Sequence, residues 1–194
     1  MPTDIPLKAG NTDRKRYATK STLSAAVLAL CAMGASAPLI FDQFLTEKEG
    51  DRLVSYPDGV GIWTICRGLT RIDGIRVTPG MALTKAQCTH YNQEHSSEAM
   101  TEMAKRVKKW PSLSEPAKAG IASFCWTNIG WVKCKDSTFM KLLESGAPAN
   151  EYCAQITNWI RDAGRDCRRA DSNCQGQPIR RMQEDELCLI PQGD

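Results

Sequence analysis

Residues 49–64 read EGDRLVSYPDGVGIWT, and this stretch decides the fold that we expect for the chain. Glu49 precedes a glycine, a pattern typical of a helix end. Asp58 opens an Asp-Gly pair, which marks a turn between two strands, and Thr64 falls on the strand after that turn. A helix end that faces a β-hairpin forms one wall of a cleft. The stretch therefore predicts a cleft that carries two carboxylates and a hydroxyl.

The segments that follow indicate a small β region and then a series of helices. Residues 53–80 are rich in Val, Ile, Trp and Thr and are interrupted by Asp-Gly and Pro-Gly turn pairs. Capping and turn residues then predict five helices. The first begins at Thr84, where Gln87 completes a capping box. The others are expected at 117–128 after Ser114-Glu115-Pro116, at 138–145 after Asp136 or Ser137, at 151–163 between Asn150 and Gly164, and at 178–189. The predicted fold class is α+β.

Composition and charge are those of an ordinary globular protein with a basic N-terminus. The 194 residues are 42% hydrophobic and 24% charged, with a net charge of +3. This excess lies before residue 21, and the remaining chain is formally neutral. Nucleic-acid binding is disfavoured because no broad basic face is implied. The basic residues of this N-terminal region are Lys8, Arg14, Lys15, Arg16 and Lys20.

Cysteine is unusually frequent, with nine in the chain. Cys31 lies in an apolar N-terminal stretch, and the other eight permit four disulfides in any of 105 pairings. No CxxC pair and no suitable Cys/His spacing supports a metal site, so an oxidising compartment is favoured. These eight are Cys66, Cys88, Cys125, Cys134, Cys153, Cys167, Cys174 and Cys188.

Residues 22–40 form an uncharged stretch of 19 residues that could cross a membrane as a helix of about 28 Å. The stretch is rich in alanine, so it gains little from lipid and could later leave the bilayer. The basic residues before it should stay in the cytoplasm, which places the chain after residue 41 outside the inner membrane. A cleaved signal peptide is the alternative, because 35–37 read Ala-Ser-Ala, although Pro38 directly after that site disfavours cleavage. We thus expect a basic cytoplasmic region at 1–20, a releasable signal anchor at 21–41 and a catalytic domain at 42–194.

The two carboxylates suit the hydrolysis of a glycosidic bond. One carboxyl group must give a proton to the leaving oxygen, while the other must be ionised to stabilise positive charge or to handle water. Their surroundings must therefore push their pKa values apart. Burial near apolar residues is expected to keep Glu49 protonated, and turn amides and solvent to keep Asp58 charged.

The spacing Glu-x8-Asp-x5-Thr, with glycine after the glutamate, resembles the T-even phage lysozyme family, glycoside hydrolase family 24. Three further segments resemble the family. Residues 123–130 resemble its helix that ends in Asn-x-Gly, and residues 137–143 resemble the segment after that helix. Residues 180–188 resemble its C-terminal Arg-Arg-x-x-Glu helix. The resemblance implies a lysozyme-like fold, with a small β-hairpin lobe, a larger helical lobe, a cleft between them and an added N-terminal apolar helix.

The resemblance also implies an activity and three catalytic residues. The substrate would be the β-1,4 bond between N-acetylmuramic acid and N-acetylglucosamine in peptidoglycan. Glu49 would be the general acid, Asp58 would position water and stabilise the oxocarbenium-like charge, and Thr64 would hold that water on the far face of the sugar. This arrangement implies inversion, with no cofactor and no metal.

The N-terminal segment narrows the resemblance to signal-anchor-release endolysins of phages of Gram-negative hosts. Such a protein would use the host Sec translocon and inner membrane through residues 21–41 and then act, as a monomer, in the periplasm to lyse the host. The cysteines fall where endolysins of this type carry them, which implies the pairs Cys66–Cys88 and Cys153–Cys188. The local pairs Cys125–Cys134 and Cys167–Cys174 would then remain.

Several residues have a structural interpretation beside a functional one. The family often has glycine and histidine where Cys66 and Leu69 stand, so a structural role of that histidine is missing or replaced. His90 and His95 are expected to be exposed, and Asp51 to be a surface residue. Cys31 is either a small apolar residue or a redox switch that reshuffles a disulfide after release, although repacking of the released segment on the catalytic domain is favoured.

Three tryptophans and one basic run also have a structural interpretation beside a functional one. Trp126, Trp131 and Trp159 are expected to pack rather than to stack on sugars. Residues 105–110 form a basic run that is expected to be a solvated helix end.

Two other functions stay open at this point. A lytic transglycosylase cuts the same bond without a water-positioning Asp and Thr, and leaves an anhydro sugar. A secreted, disulfide-rich binding protein would also suit the near-neutral domain and its four possible disulfides.

Overall fold

The computed structural model describes residues 21–59, 61–162 and 164–191. The predicted basic region at 1–20 lies outside these residues. The fold is α+β, as predicted, with a small β lobe inserted between helices. In chain order the elements are α1 (Ala25–Ala32), α2 (Ala37–Glu49), β1 (Arg52–Pro57), β2 (Trp63–Cys66), β3 (Arg71–Ile72), β4 (Ile75–Arg76), α3 (Lys85–Arg106), α4 (Glu115–Ala122), a π-helix (Ser123–Asn128), α5 (Trp131–Lys135), α6 (Thr138–Ser145), α7 (Ala149–Ala154), β5 (Arg161–Asp162), β6 (Arg165–Asp166) and α8 (Gly176–Leu189), with 3-10 turns at Trp110–Ser112 and Gln155–Asn158.

The β lobe consists of short antiparallel hairpins. Strands β1 and β2 pair with Tyr56 opposite Thr64, and the register is irregular between Arg52 and Tyr56. Strands β3 and β4 form a second hairpin. A small core of apolar side chains holds the lobe together, including Ile65 and Leu69. Because β1 begins three residues after the end of α2, the hairpin is tied closely to that helix.

The helical lobe is built around the contact between α2, α4 and α8. Phe41 and Phe44 of α2 are fully buried in its core. Helix α8 approaches α4 at Gly120, where an added Cβ would lie 2.8 Å from the carbonyl oxygen of Glu184. Glycine is therefore required at this crossing, because any side chain would meet backbone atoms of α8. The close crossing fixes the position of α8 relative to the end of α2.

Local capping predictions from the sequence are confirmed where a side chain caps its own helix. Thr84 and Gln87 form the capping box of α3, Ser114 caps α4, and Ser137 caps α6.

The helix predicted at 151–163 is wrong. Helix α7 ends at Ala154, and Gly164 lies in the turn of the β5–β6 hairpin with φ of +82° rather than at a helix end.

Residues 22–40 do not form one helix in the described structure. Helix α1 ends at Ala32, Gly34 has φ of +68°, and α2 begins at Ala37. Within the described ranges, none of the helices combines the length and the apolar run that a bilayer crossing needs. Instead, Val27 and Ile40 are fully buried against the helical lobe.

Polar contacts fasten this segment to the lobe. The backbone N–H of Thr22 donates to Glu186 of α8 at 2.9 Å, and the hydroxyl of Ser24 donates to Glu47 of α2 at 2.5 Å. At the start of α2, the N–H of Ala37 donates to Glu115 of α4 at 2.6 Å. The segment is thus an integral part of the folded lobe in this form of the protein.

Four disulfides connect the elements, in the pairing that the resemblance and the local spacing implied. Cys66–Cys88 ties β2 to α3, and Cys153–Cys188 ties α7 to α8. Cys125–Cys134 ties the π-helix to α5, and Cys167–Cys174 closes the loop before α8. Cys31 is a free thiol, and burial raises its pKa, which disfavours the thiolate that a disulfide exchange would need.

Candidate active site

Glu49 is the last residue of α2, and its side chain is 40% exposed. One of its carboxylate oxygens accepts a hydrogen bond from Nη1 of Arg180 at 2.7 Å. The expected burial of Glu49 among apolar residues is therefore wrong, since a guanidinium group holds it instead. The two residues are 131 positions apart, and they come together because α2 and α8 both pack against α4.

Arg180 is held in place by side chains of α8 and of the π-helix. Its Nε donates to Glu184 at 3.2 Å, and its Nη2 lies 3.4 Å from the hydroxyl oxygens of Ser123 and Thr127. The Arg180 side chain is only 13% exposed, so few other orientations are open to it. A fixed guanidinium in turn fixes the direction of the Glu49 carboxylate.

Glu184 is the centre of a fully buried polar cluster. Ser123 donates to it at 2.6 Å, and Arg181, which has no exposed surface, forms an ion pair with it at 3.1 Å. Burial raises the pKa of Glu184, while the guanidinium groups of Arg181 and Arg180 oppose this rise. Burial likewise lowers the pKa of Arg181 to about 10. The cluster holds Arg180 in position, and Arg180 in turn positions the Glu49 carboxylate.

Asp58 lies at the end of β1, in the turn that leads to β2. Its N–H donates to the carbonyl of Ile62, and its Oδ1 accepts from the N–H of Ile62, both at 2.8 Å. A backbone amide of the turn therefore contacts this carboxylate, as the sequence predicted. The contact holds the side chain against the tip of the hairpin.

Thr64 lies on β2, opposite Tyr56, and is buried. Its hydroxyl donates to the carbonyl of Tyr56 at 3.3 Å. With its hydrogen used in this way, the hydroxyl oxygen keeps lone pairs that can accept from another donor. Thr64 is thus on the predicted strand, with its hydroxyl facing the hairpin backbone.

A cavity of about 290 Å³ lies between the two lobes. It is lined by residues of α2, the β2–β3 turn, α3 and the π-helix, namely Leu45, Glu49, Arg67, Gly68, Asn92, His95, Ser96, Trp126 and Thr127. Of the three predicted catalytic residues, Glu49 lines this cavity, whereas Asp58 and Thr64 lie on the hairpin outside its lining. The volume is at the lower end of the range for ligand pockets.

Arg67 joins the β lobe to α2 at the floor of the cavity. Its side chain is 7% exposed and forms ion pairs with Asp42 at 2.6 Å and with Asp51 at 2.9 Å. Asp51 is exposed, as the sequence suggested, although its carboxylate also pairs with Arg67. The neighbouring Cys66 adopts φ of +56°, so it takes the left-handed conformation at a position where the family often has glycine, and Leu69 is buried in place of the histidine.

Sequence reasoning missed the three residues of α3 that line the cavity, which are Asn92, His95 and Ser96. Asn92 is 3% exposed and donates from Nδ2 to Asp51 at 3.0 Å. His95 is half-buried rather than exposed, and burial lowers its pKa. His90 is exposed, and His95 is five residues further along α3, which places the two side chains on different faces of the helix. This spacing was the sequence signal that the two histidines would differ in exposure.

Trp126 lies half-buried on the opposite wall of the cavity. The guanidinium of Arg106 lies 5.4 Å from its ring centroid and 5.9 Å from that of Trp131. Trp126, Trp131 and Trp159 all pack against the core of the helical lobe, as expected. Within the basic run at 105–110, Val107 and Trp110 are buried while the Lys and Arg residues are exposed, so the run is only partly the solvated helix end predicted.

Comparison with known proteins gives the same fold and links it to a family. The family model described as phage lysozyme matches residues 46–184. The chain is 53% identical over 165 residues to a SAR-endolysin of Escherichia phage 933W and, equally, to a probable prophage lysozyme of Escherichia coli strain K12. Each match covers 85% of this chain and 92% of the relative.

A solved structure, the endolysin from Escherichia coli O157:H7 phage FAHEc1, is 27% identical, with a TM-score of 0.63. The match covers 80% of this chain and 92% of that one. The family model spans well over half of the chain, and the 53% identity extends over most of it. The chain therefore belongs to the phage lysozyme family.

Proposed function

We propose that this phage lysozyme is an endolysin that hydrolyses the β-1,4 bond between N-acetylmuramic acid and N-acetylglucosamine in peptidoglycan and so lyses the host cell. The observation that carries the proposal is Glu49, which lines the inter-lobe cavity and forms an ion pair with the largely buried Arg180. Membership of the lysozyme family supports a glycosidase. Relatives named SAR-endolysin support a role in lysis.

In the proposed reaction Glu49 gives a proton to the leaving glycosidic oxygen. Asp58 on the hairpin stabilises the positive charge that develops on the sugar, orients a water molecule and takes up the proton that this water loses when it attacks. The Thr64 oxygen accepts a hydrogen bond from the same water, which attacks the face of the sugar opposite the leaving group. Attack from that face inverts the anomeric configuration.

Analysis of the first product is the direct test of this mechanism. We expect glycan fragments with a reducing N-acetylmuramic acid end that carries one oxygen from ¹⁸O-labelled water and is initially the α-anomer by proton NMR. A 1,6-anhydro end without label would instead show a lytic transglycosylase. The absence of any cleavage would support a binding protein, and a β-anomer would contradict inversion.

We also propose that residues 21–41 serve first as a membrane anchor, inserted with the help of the host Sec translocon, and that the described structure is the form released into the periplasm. The apolar side chains that would contact lipid, such as Leu23, Val27 and Ile40, are the ones that pack into the lobe here. Burial in the protein thus replaces burial in lipid, which reduces the free-energy cost of leaving the membrane. The relatives named SAR-endolysin support this order of events.

Exposed alanines of α1 allow release to be tested separately from folding. Ala26 and Ala29 are exposed in the described form, so Ala26→Leu with Ala29→Leu should leave the folded enzyme intact. Each buried CH₂ favours lipid by ~0.8 kcal/mol, so the double variant should favour the membrane by about 5 kcal/mol more than the wild type.

We expect the double leucine variant to stay in the inner-membrane fraction and to delay lysis strongly, although detergent-extracted protein should cleave walls at the wild-type rate. The matched control is the pair Ala26→Ser and Ala29→Ser, which should fractionate into the periplasm. Wild-type timing of lysis and a soluble leucine variant would refute the anchor proposal.

A further inference from the structure

Asn92 is a buried amide with one unused hydrogen-bonding atom, and it lines the cavity beside Glu49. Its Nδ2 donates to the Asp51 carboxylate at 3.0 Å, while its Oδ1 has no hydrogen-bond partner among the described residues. The carboxylate can only accept, so the amide cannot be turned round without losing this bond. Its carbonyl oxygen is therefore an unsatisfied buried acceptor, and the residue that carries it lines the cavity.

The other groups of the cavity define which ligand group would fit. His95, one helical turn from Asn92 on the same face of α3, also lines the cavity, and a neutral imidazole offers one N–H donor. Leu45 and Trp126 add apolar surface to the walls. The cavity thus combines an acceptor, a donor and an apolar wall.

Charge disfavours an anionic ligand group at this place. Arg67 is the cation on the cavity floor, and its guanidinium is already paired with both Asp42 and Asp51. Arg180 is likewise paired with Glu49 and Glu184. Among the residues that the structure describes, no unpaired positive charge lines the cavity for a carboxylate, so a neutral polar group fits better than the acidic peptide of the cell wall.

We propose that Asn92 and His95 form a subsite for the 2-acetamido group of a peptidoglycan sugar, and that they set the preference of the enzyme for N-acetylated glycan. The acetamido N–H donates to Asn92 Oδ1, its carbonyl accepts from His95, and its methyl group contacts the apolar wall. The proposal rests on the proposed peptidoglycan hydrolase function and specifies its substrate. Neither residue takes part in the proton transfers.

The test compares two substrates on one enzyme preparation. Purified cell walls are used either native or after chemical N-deacetylation, and a sample of the deacetylated wall is re-acetylated to show that the treatment itself is harmless. The ratio of kcat/KM for the two walls is measured for the wild type, Asn92→Ala and His95→Ala. Because both walls meet the same protein, partial unfolding of a variant cancels in the ratio.

We expect the wild type to prefer the native wall by about tenfold or more. The deacetylated sugar lacks the carbonyl that accepts from His95 and the methyl group that contacts the apolar wall, and it brings a charged ammonium group in their place. Asn92→Ala and His95→Ala should each reduce this preference several-fold, mainly through a slower reaction on the native wall. Gln93→Ala and His90→Ala are matched controls, since both side chains are exposed on the same helix and should keep the wild-type ratio.

Unchanged ratios in both cavity variants would overturn the subsite, whatever their absolute rates. That outcome differs from failure of the proposed function, in which the wild type itself would release no glycan fragments from the native wall. Equal rates of the wild type on the two walls would also overturn the subsite, while leaving the hydrolase function intact.

Discussion

Replacement of Glu49 by Gln is expected to lower kcat for peptidoglycan cleavage by about a thousandfold, because an amide cannot give a proton to the leaving oxygen. Glutamine keeps the size of the side chain and can still accept a hydrogen bond from Arg180 through its carbonyl oxygen. The wall should therefore still bind, and KM should change much less than kcat. Turbidity of purified walls with the released reducing ends measures both quantities.

The matched control is Glu47→Gln, two residues earlier on α2. Glu47 is exposed and accepts hydrogen bonds from Ser24 and Gln43, which an amide oxygen can also accept. This variant should retain wild-type activity. A thermal unfolding curve of Glu49→Gln will separate loss of catalysis from loss of fold. Clearance of walls by Glu49→Gln at the wild-type rate would show that Glu49 is not the acid.

The position of Glu49 at a helix end could be predicted because its determinants are local. Glycine follows it, and Asp58-Gly59 marks the turn of the next hairpin; both signals act within a few residues. The caps Thr84, Ser114 and Ser137 are local in the same sense. Elements of this kind follow from the sequence without knowledge of the tertiary structure.

The partners of Glu49 could not be predicted, because they depend on how distant helices pack. Arg180 and Glu184 were placed on a C-terminal helix from the sequence, but the crossing of α8 over Gly120 decides that Arg180 reaches Glu49. The expected apolar pocket around Glu49 was wrong for this reason. His95 was likewise misjudged, because only the packed β lobe shows which face of α3 is covered.

The failure at 151–163 has a different cause. Asn150 and Gly164 both suit helix ends, but glycine with a positive φ suits a hairpin turn equally well. The backbone turns away at Trp159, and a short hairpin and the Cys167–Cys174 loop lead into α8 instead. A pattern of caps alone does not distinguish these alternatives.

Replacement of Glu184 by Ala is expected to lower the free energy of unfolding by about 3–5 kcal/mol, the largest loss of stability that we expect from a single charged residue here. Arg181 is fully buried, and removal of Glu184 leaves its charge without the partner that compensates for burial. Ser123 and Arg180 lose an acceptor as well. Urea unfolding with the disulfides intact measures the change through the midpoint, with the slope checked for two-state behaviour.

Glu98→Ala is the matched control, since Glu98 is exposed on α3 and its replacement should change stability by less than about 0.5 kcal/mol. Alanine favours helices in both variants, so helix propensity does not explain a difference between them. At temperatures where the Glu184→Ala variant is still folded, its kcat should also be lower than that of the wild type, because Arg180 loses one of the contacts that orient it toward Glu49. A variant as stable as the wild type would show that Arg181 is solvated or otherwise compensated. The buried cluster would then not be what holds Arg180 in place beside Glu49.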